Sequence, residues 1–216
     1  MIEIYLFINP IGEKCYGLER KILELIDKHD LKIQLRLIPL MNLHTITDFM
    51  ERKGLSKQDI AARNALSKNI YSACLDVKAA QLQGKKKGRD FLLRLQEEVA
   101  INQLPYSPEL SRSLFKEVGG DMETFCEDRS SEFILDAFVS DQQIAREMDI
   151  TQHPSAVIYN CVSDDDSGVR IEGCDSIQHV IDSFGTKEST LEFFKKLKAI
   201  EQPKKNSDPK HLSLLI

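Results

Sequence analysis

The chain has 216 residues, 42% of them hydrophobic and 29% charged, with a formal net charge of -5. That composition is ordinary for a globular protein, and the length suits one sizeable core or one core with an elaborate insertion. The negative balance argues against a general binder of nucleic acid or of membrane surfaces, because phosphates and anionic headgroups attract cationic faces.

The chain opens Met1-Ile2-Glu3-Ile4-Tyr5-Leu6-Phe7-Ile8-Asn9-Pro10, with no basic stretch and a glutamate among the apolar residues, so no signal peptide is expected. No apolar run approaches the roughly 20 residues of a membrane helix. The expected location is the cytoplasm, with the five cysteines reduced. Ile2 to Ile8 reads as a buried strand, broken by Asn9-Pro10-Ile11-Gly12. Cys15 to His29 carries Leu18, Ile22, Leu25 and Ile26 at helical spacing, and Leu31 to Pro39 reads as a second strand. This is a βαβ unit, whose strands should run parallel.

From about Thr45 to Met148 nearly everything reads as helix. One helix opens at Ser56-Lys57-Gln58-Asp59 and runs to about Leu82, and a second spans Phe91 to about Ile101. Between them Gly84 and Gly88 bracket Lys85-Lys86-Lys87, either a solvated loop or, with Arg89 and Arg94, a contact surface for an acidic partner. Ser107 to Val118 is helical again, Gly119-Gly120 stops it, and Asp121 can cap Met122 to Cys126. An amphipathic helix from about Ser130 to Met148 closes the block. Ala156 to Tyr159 and Val169 to Ile171 then read as a hairpin around the polar turn Val162 to Gly168, followed by helices over Ser176 to Phe184 and Ser189 to Ile200. The expected organisation is an α/β core over 1–44 and 149–201, a helical insertion over 45–148, and a flexible tail over 202–216.

The cysteines form no CxxC pair and no Cys/His cluster with metal-ligand spacing. Cys74 and Cys126 read as small buried apolar residues, whereas Cys161 and Cys174 flank the hairpin and could approach each other. Two turns stand out: Asn9-Pro10-Ile11-Gly12-Glu13-Lys14-Cys15-Tyr16, and Gln152-His153-Pro154 just before a strand. Together with the βαβ, helical block, ββα order they resemble the DsbA-like branch of the thioredoxin superfamily, and so imply a thioredoxin-like α/β fold with a large helical insertion. Leu75 to Glu98, above all Gln83-Gly84-Lys85-Lys86 and the following Phe91-Leu92-Leu93-Arg94-Leu95-Gln96, closely resembles the SpxH (YjbH) family of ClpXP adapter proteins.

The resemblance implies several things. The first turn matches the one that carries the CxxC pair in thioredoxin folds, with Gly12 standing in place of the attacking cysteine and Cys15 matching the resolving one. Pro154 should be cis, and the backbone of His153 should face an extended peptide. Function should be that of a non-enzymatic adapter, without cofactor or metal, that binds the transcription factor Spx and promotes its degradation by the ClpXP protease. Lys85, Lys86, Lys87 and Arg89 are the candidate partner-binding residues. The alternative is a monothiol DsbA-like oxidoreductase acting through Cys15, with His153 as a neighbour; a third reading is a chaperone-like binder of unfolded peptide at His153-Pro154.

Overall fold

The first strand, β1 (Ile2–Ile8), organises everything else. Its side chains alternate: Ile2, Ile4, Leu6 and Ile8 enter the larger core, while Phe7 enters a second core on the opposite face. In the computed structural model, which describes residues 2–28, 33–160 and 168–182, β1 is paired on both edges. It runs parallel to β2 (Ile33–Pro39) with Ile4 opposite Leu35, and antiparallel to β3 (Ser155–Asn160) with Ile4 opposite Ile158. β3 pairs in turn with β4 (Val169–Glu172), giving the order β2-β1-β3-β4.

The parallel β1–β2 pair requires a crossover, supplied by α1 (Glu13–Lys28), whose Cys15, Leu18 and Ile22 are buried against the sheet. α8 (Cys174–Asp182) covers the same face through Ile177, Val180 and Ile181. The architecture is thus the thioredoxin-like α/β fold that the resemblance implies, with a large helical insertion between β2 and β3. The expected helix over Ser189 to Ile200, most of the Val162 to Gly168 turn, Cys161 and the 202–216 tail lie outside the described residues.

α2 (Leu43–Arg52) starts in a capping box in which the Asn42 side chain accepts from the Thr45 N–H and the Thr45 hydroxyl returns to Asn42. Asp59 caps α3 (Ile60–Leu82), Ser107 caps α5 (Pro108–Glu117), Asp121 caps α6 (Met122–Arg129) and Ser131 caps α7 (Glu132–Glu147). The lysine run is not a loop. α4 (Lys85–Gln96) starts directly at Lys85, because Gly84 takes a φ of +119 that turns the chain sharply out of α3. Gly88 lets α4 lie hard against α3: a Cβ there would stand 2.9 Å from the Gln81 Cα. Beyond Gln96 the helix loosens into a π-helical turn, Glu97–Ile101.

Phe91, Phe115 and Phe125 join α4, α5 and α6, with ring centroids 4.4 to 6.2 Å apart. Phe125 takes the inward position on the short α6, which leaves Cys126 exposed rather than buried as its helical setting predicts; Cys74 is buried. Among the described residues no helix is long and apolar enough to cross a membrane.

One polar cluster inside the insertion carries charge. Asp76 on α3 is almost wholly buried and receives hydrogen bonds from Arg129 on α6 and from the Tyr106 hydroxyl at 2.6 Å. Arg129 also reaches the Ser72 hydroxyl at 2.6 Å. Asp76→Ala strands a partly buried guanidinium and should cost about 3 kcal/mol, whereas Tyr106→Phe removes a hydrogen bond to a charged group and should cost about 1.5 kcal/mol. Urea unfolding midpoints measure both, and equal losses would contradict the ranking.

Candidate functional site

The site grows from the end of β1. Asn9 is buried there, and its side-chain Oδ1 accepts the Ile11 N–H at 3.0 Å in an Asx turn. Its carbonyl accepts the Gly12 N–H at 3.0 Å and the Gln96 side-chain amide at 3.2 Å. Gly12 therefore folds back over Asn9. A Cβ at position 12 would lie 2.9 Å from the Asn9 Cβ, a distance that side chains do not tolerate, so the turn closes on a glycine for steric reasons.

Cys15 lies one turn into this segment, with no exposed surface. Burial, reinforced by nearby Glu19, pushes its thiol far above the ordinary range, so it stays protonated at neutral pH. The His153–Pro154 peptide is cis, as the resemblance implies, and sets His153 behind Cys15 with Sγ and Nδ1 4.0 Å apart. Asn42, at the start of α2, ties this loop down by donating to the Thr151 carbonyl at 3.0 Å. Burial lowers the His153 imidazole to about 4, helped by the positive charge of Arg52. The pair is a neutral thiol beside a neutral imidazole, not the thiolate–imidazolium pair of an activated cysteine.

Three polar residues missed by the periodicity reading sit below. Glu19 is fully buried on α1, and the Gln96 amide donates to its Oε1 at 2.9 Å. Burial pushes its carboxyl up to about 8. Among the described residues, Asn9 Nδ2, Glu19 Oε2 and Gln96 Oε1 have no hydrogen-bond partner. The readable signal was position: Glu19 stands four residues after Cys15 and three before Ile22, on the apolar face of α1. Cys174, at the start of α8, is half-buried and donates to the Lys14 carbonyl at 3.0 Å, beside the same turn. Cys161, its expected neighbour, lies outside the described residues.

The basic candidates form a separate surface. Lys85 and Arg89 line an open groove beside β2, Lys86 is exposed, and Lys87 donates to the Gly119 carbonyl, bridging α4 to the end of α5. The structure thus sets Cys15 beside His153 and its cis Pro154, with Gly12 in the same turn as Cys15, while Lys85 and Arg89 line the groove beside β2 and Lys87 reaches Gly119. Among the described residues no cluster of histidine, cysteine or carboxylate side chains could hold a metal ion.

Two outcomes follow from this geometry. Gly12→Cys, which restores a CxxC spacing with Cys15, should lower stability by about 1–3 kcal/mol because the new side chain collides with Asn9; a melting temperature at or above wild type would contradict the clash. The second concerns Glu19, whose folded carboxyl titrates at about 8 against an ordinary 4.5. Its neutral form stabilises the fold fully below pH 4.5, and that stability is lost as pH rises towards 8. Glu19→Gln escapes the loss, so its advantage over wild type should grow by about 3–5 kcal/mol across that window and then level off. Urea titrations at several pH values read the gap, and a gap independent of pH would sink the assignment.

The sequence matches the thioredoxin family model over residues 5–182. Among curated proteins, ClpXP adapter protein SpxH of Bacillus subtilis is 28% identical over 80% of this chain and 62% of its own length. The SpxH of Bacillus cereus is 29% identical over 80% and 64%, so the chain spans less than two thirds of these relatives. Among solved structures, Pseudomonas aeruginosa DsbA superposes with a TM-score of 0.57 at 15% identity, covering 93% of this chain and 86% of that one. With its match running from β1 to the end of α8, the chain belongs to the thioredoxin family, with a DsbA-like architecture and the SpxH adapters among its relatives.

Proposed function

We propose that this protein is a non-enzymatic cytoplasmic adapter that binds the transcription factor Spx and promotes its degradation by the ClpXP protease. The relatives named as ClpXP adapters support the reading. The observation that carries it is the state of the redox position. Thiol–disulfide exchange needs an accessible thiolate and a second sulfur to resolve the mixed disulfide. Here Cys15 is buried and protonated, and position 12 holds a glycine, where a Cβ would crowd the Asn9 side chain at 2.9 Å. A scaffold that binds a client and delivers it to a protease requires surfaces, and none of this chemistry.

A second reading, a monothiol oxidoreductase acting through Cys15, is favoured by the Cys15–His153 contact at 4.0 Å. One experiment separates the two. Purified ClpXP is incubated with Spx, with and without the full chain, and Spx is followed by gel. The adapter shortens the Spx half-life several-fold, and Cys15→Ala does so equally well. No binding of Spx in a pull-down and an unchanged half-life overturn the adapter reading. Insulin reduction or glutathione exchange that disappears in Cys15→Ala establishes the oxidoreductase instead.

A further inference from the structure

We infer that the outer edge of β2 is a docking groove for an extended acidic peptide segment, which it takes as an added strand. β2 is an edge strand, and among the described residues no strand lies beyond it. Backbone groups alternate in direction along a strand. The Leu37 carbonyl accepts from Gln81 Nε2 at 3.0 Å and the Pro39 carbonyl from Gln142 Nε2 at 2.8 Å, both from the side away from β1. Ile33 and Leu35 therefore point their N–H and C=O groups the same way. Two glutamines close the far end of the edge, and its first half is left with strand-pairing groups turned outward.

Those groups face an open groove of about 410 Å³ between β2 and the ends of α3, α4 and α7. Leu35 and Ile144 line it with apolar surface, and Arg36, Lys78, Lys85 and Arg89 line it with positive charge. Arg36 is paired with Glu3 at 2.7 Å and Lys78 with Asp141 at 2.8 Å. Lys85 and Arg89 are in no ion pair among the described residues. Lys85 also opens α4, whose first turn has no side-chain cap, so the positive end of the helix adds to the field at the groove. On a chain of net charge -5 this is a local reversal of sign. Opposite charge guides an incoming segment, a free edge gives it main-chain hydrogen bonds, and apolar surface takes alternate side chains. A segment of about five residues, roughly 17 Å, covers the open half of the edge, pairing with Ile33 and Leu35.

The occupant is a segment of another protein. Two copies of this chain paired edge to edge would set Arg36, Lys85 and Arg89 against their own counterparts, which like-charge repulsion disfavours. That the segment belongs to a client rests on the adapter reading; the groove itself does not.

The test uses fluorescence anisotropy of the full chain with a labelled peptide of alternating glutamate and valine. Three controls accompany it: the same peptide with lysine for glutamate, one with proline at alternate positions, and the doubly substituted protein Lys85→Glu/Arg89→Glu, its fold checked by circular dichroism. The acidic peptide should bind, more weakly as salt rises. The doubly substituted protein should lose about tenfold in affinity, and the lysine and proline peptides should not bind. An acidic peptide bound no better than the basic one removes the charge assignment, and a proline peptide bound equally well removes strand addition. A dimer seen by sedimentation and dissolved by the two substitutions makes a second copy the occupant and overturns the proposal. Spx degradation accelerated without peptide binding sinks the groove alone; peptide binding without accelerated degradation sinks the adapter reading alone.

Discussion

The structure depends on β1 being enclosed. It is paired along both edges, with Ile4, Leu6 and Ile8 fully buried on one face and Phe7 fully buried on the other. A strand held this way has no freedom at its end, so the residue that follows is delivered into the interior. That residue is Asn9, a polar side chain that must find its hydrogen bonds locally. Its Oδ1 finds one in the turn while its Nδ2 finds none among the described residues, and the turn fixes where α1 begins, how tightly Gly12 packs and how deep Cys15 lies.

The chemistry of the site follows from that depth. Burial acts on each titratable group in the direction that removes its charge: the Cys15 thiol and Glu19 carboxyl rise, and the His153 imidazole falls. Cys15, Glu19 and His153 are thereby held neutral around neutral pH. A redox site of this fold would instead hold a charged sulfur at the start of α1, where the helix dipole favours it. The same backbone frame here encloses a polar but uncharged cluster of side chains, linked to the insertion by Gln96.

Much of this was legible in the sequence. β1 and α1 announce themselves through periodicity, the caps at Asp121 and before α3 through residue type, and Gly12 and Cys15 through their spacing. The cis proline came from the resemblance alone, since nothing local to Pro154 dictates it. What periodicity could not show were the departures from regularity. Three lysines bracketed by Gly84 and Gly88 look like a loop, yet one glycine turns the chain into α4 and the other packs that helix on α3. The π-helical turn after Gln96 has no compositional mark. Cys126 is exposed although its helical setting suggests burial, because that setting does not say which face is inward; on an eight-residue helix the neighbouring Phe125 takes the core position.

The way α7 meets the sheet has an evolutionary side. Gln142 donates to the Pro39 carbonyl and accepts the Met41 N–H at 3.0 Å, so its amide behaves like one more residue of a strand. Gln81 does the same work on Leu37 with a single bond. Both glutamines read main chain, which is identical whatever side chain is attached. The outward residues of β2 can therefore drift without loosening these two bonds. Selection can retune the recognition surface along that strand while the joint between core and insertion stays as it is.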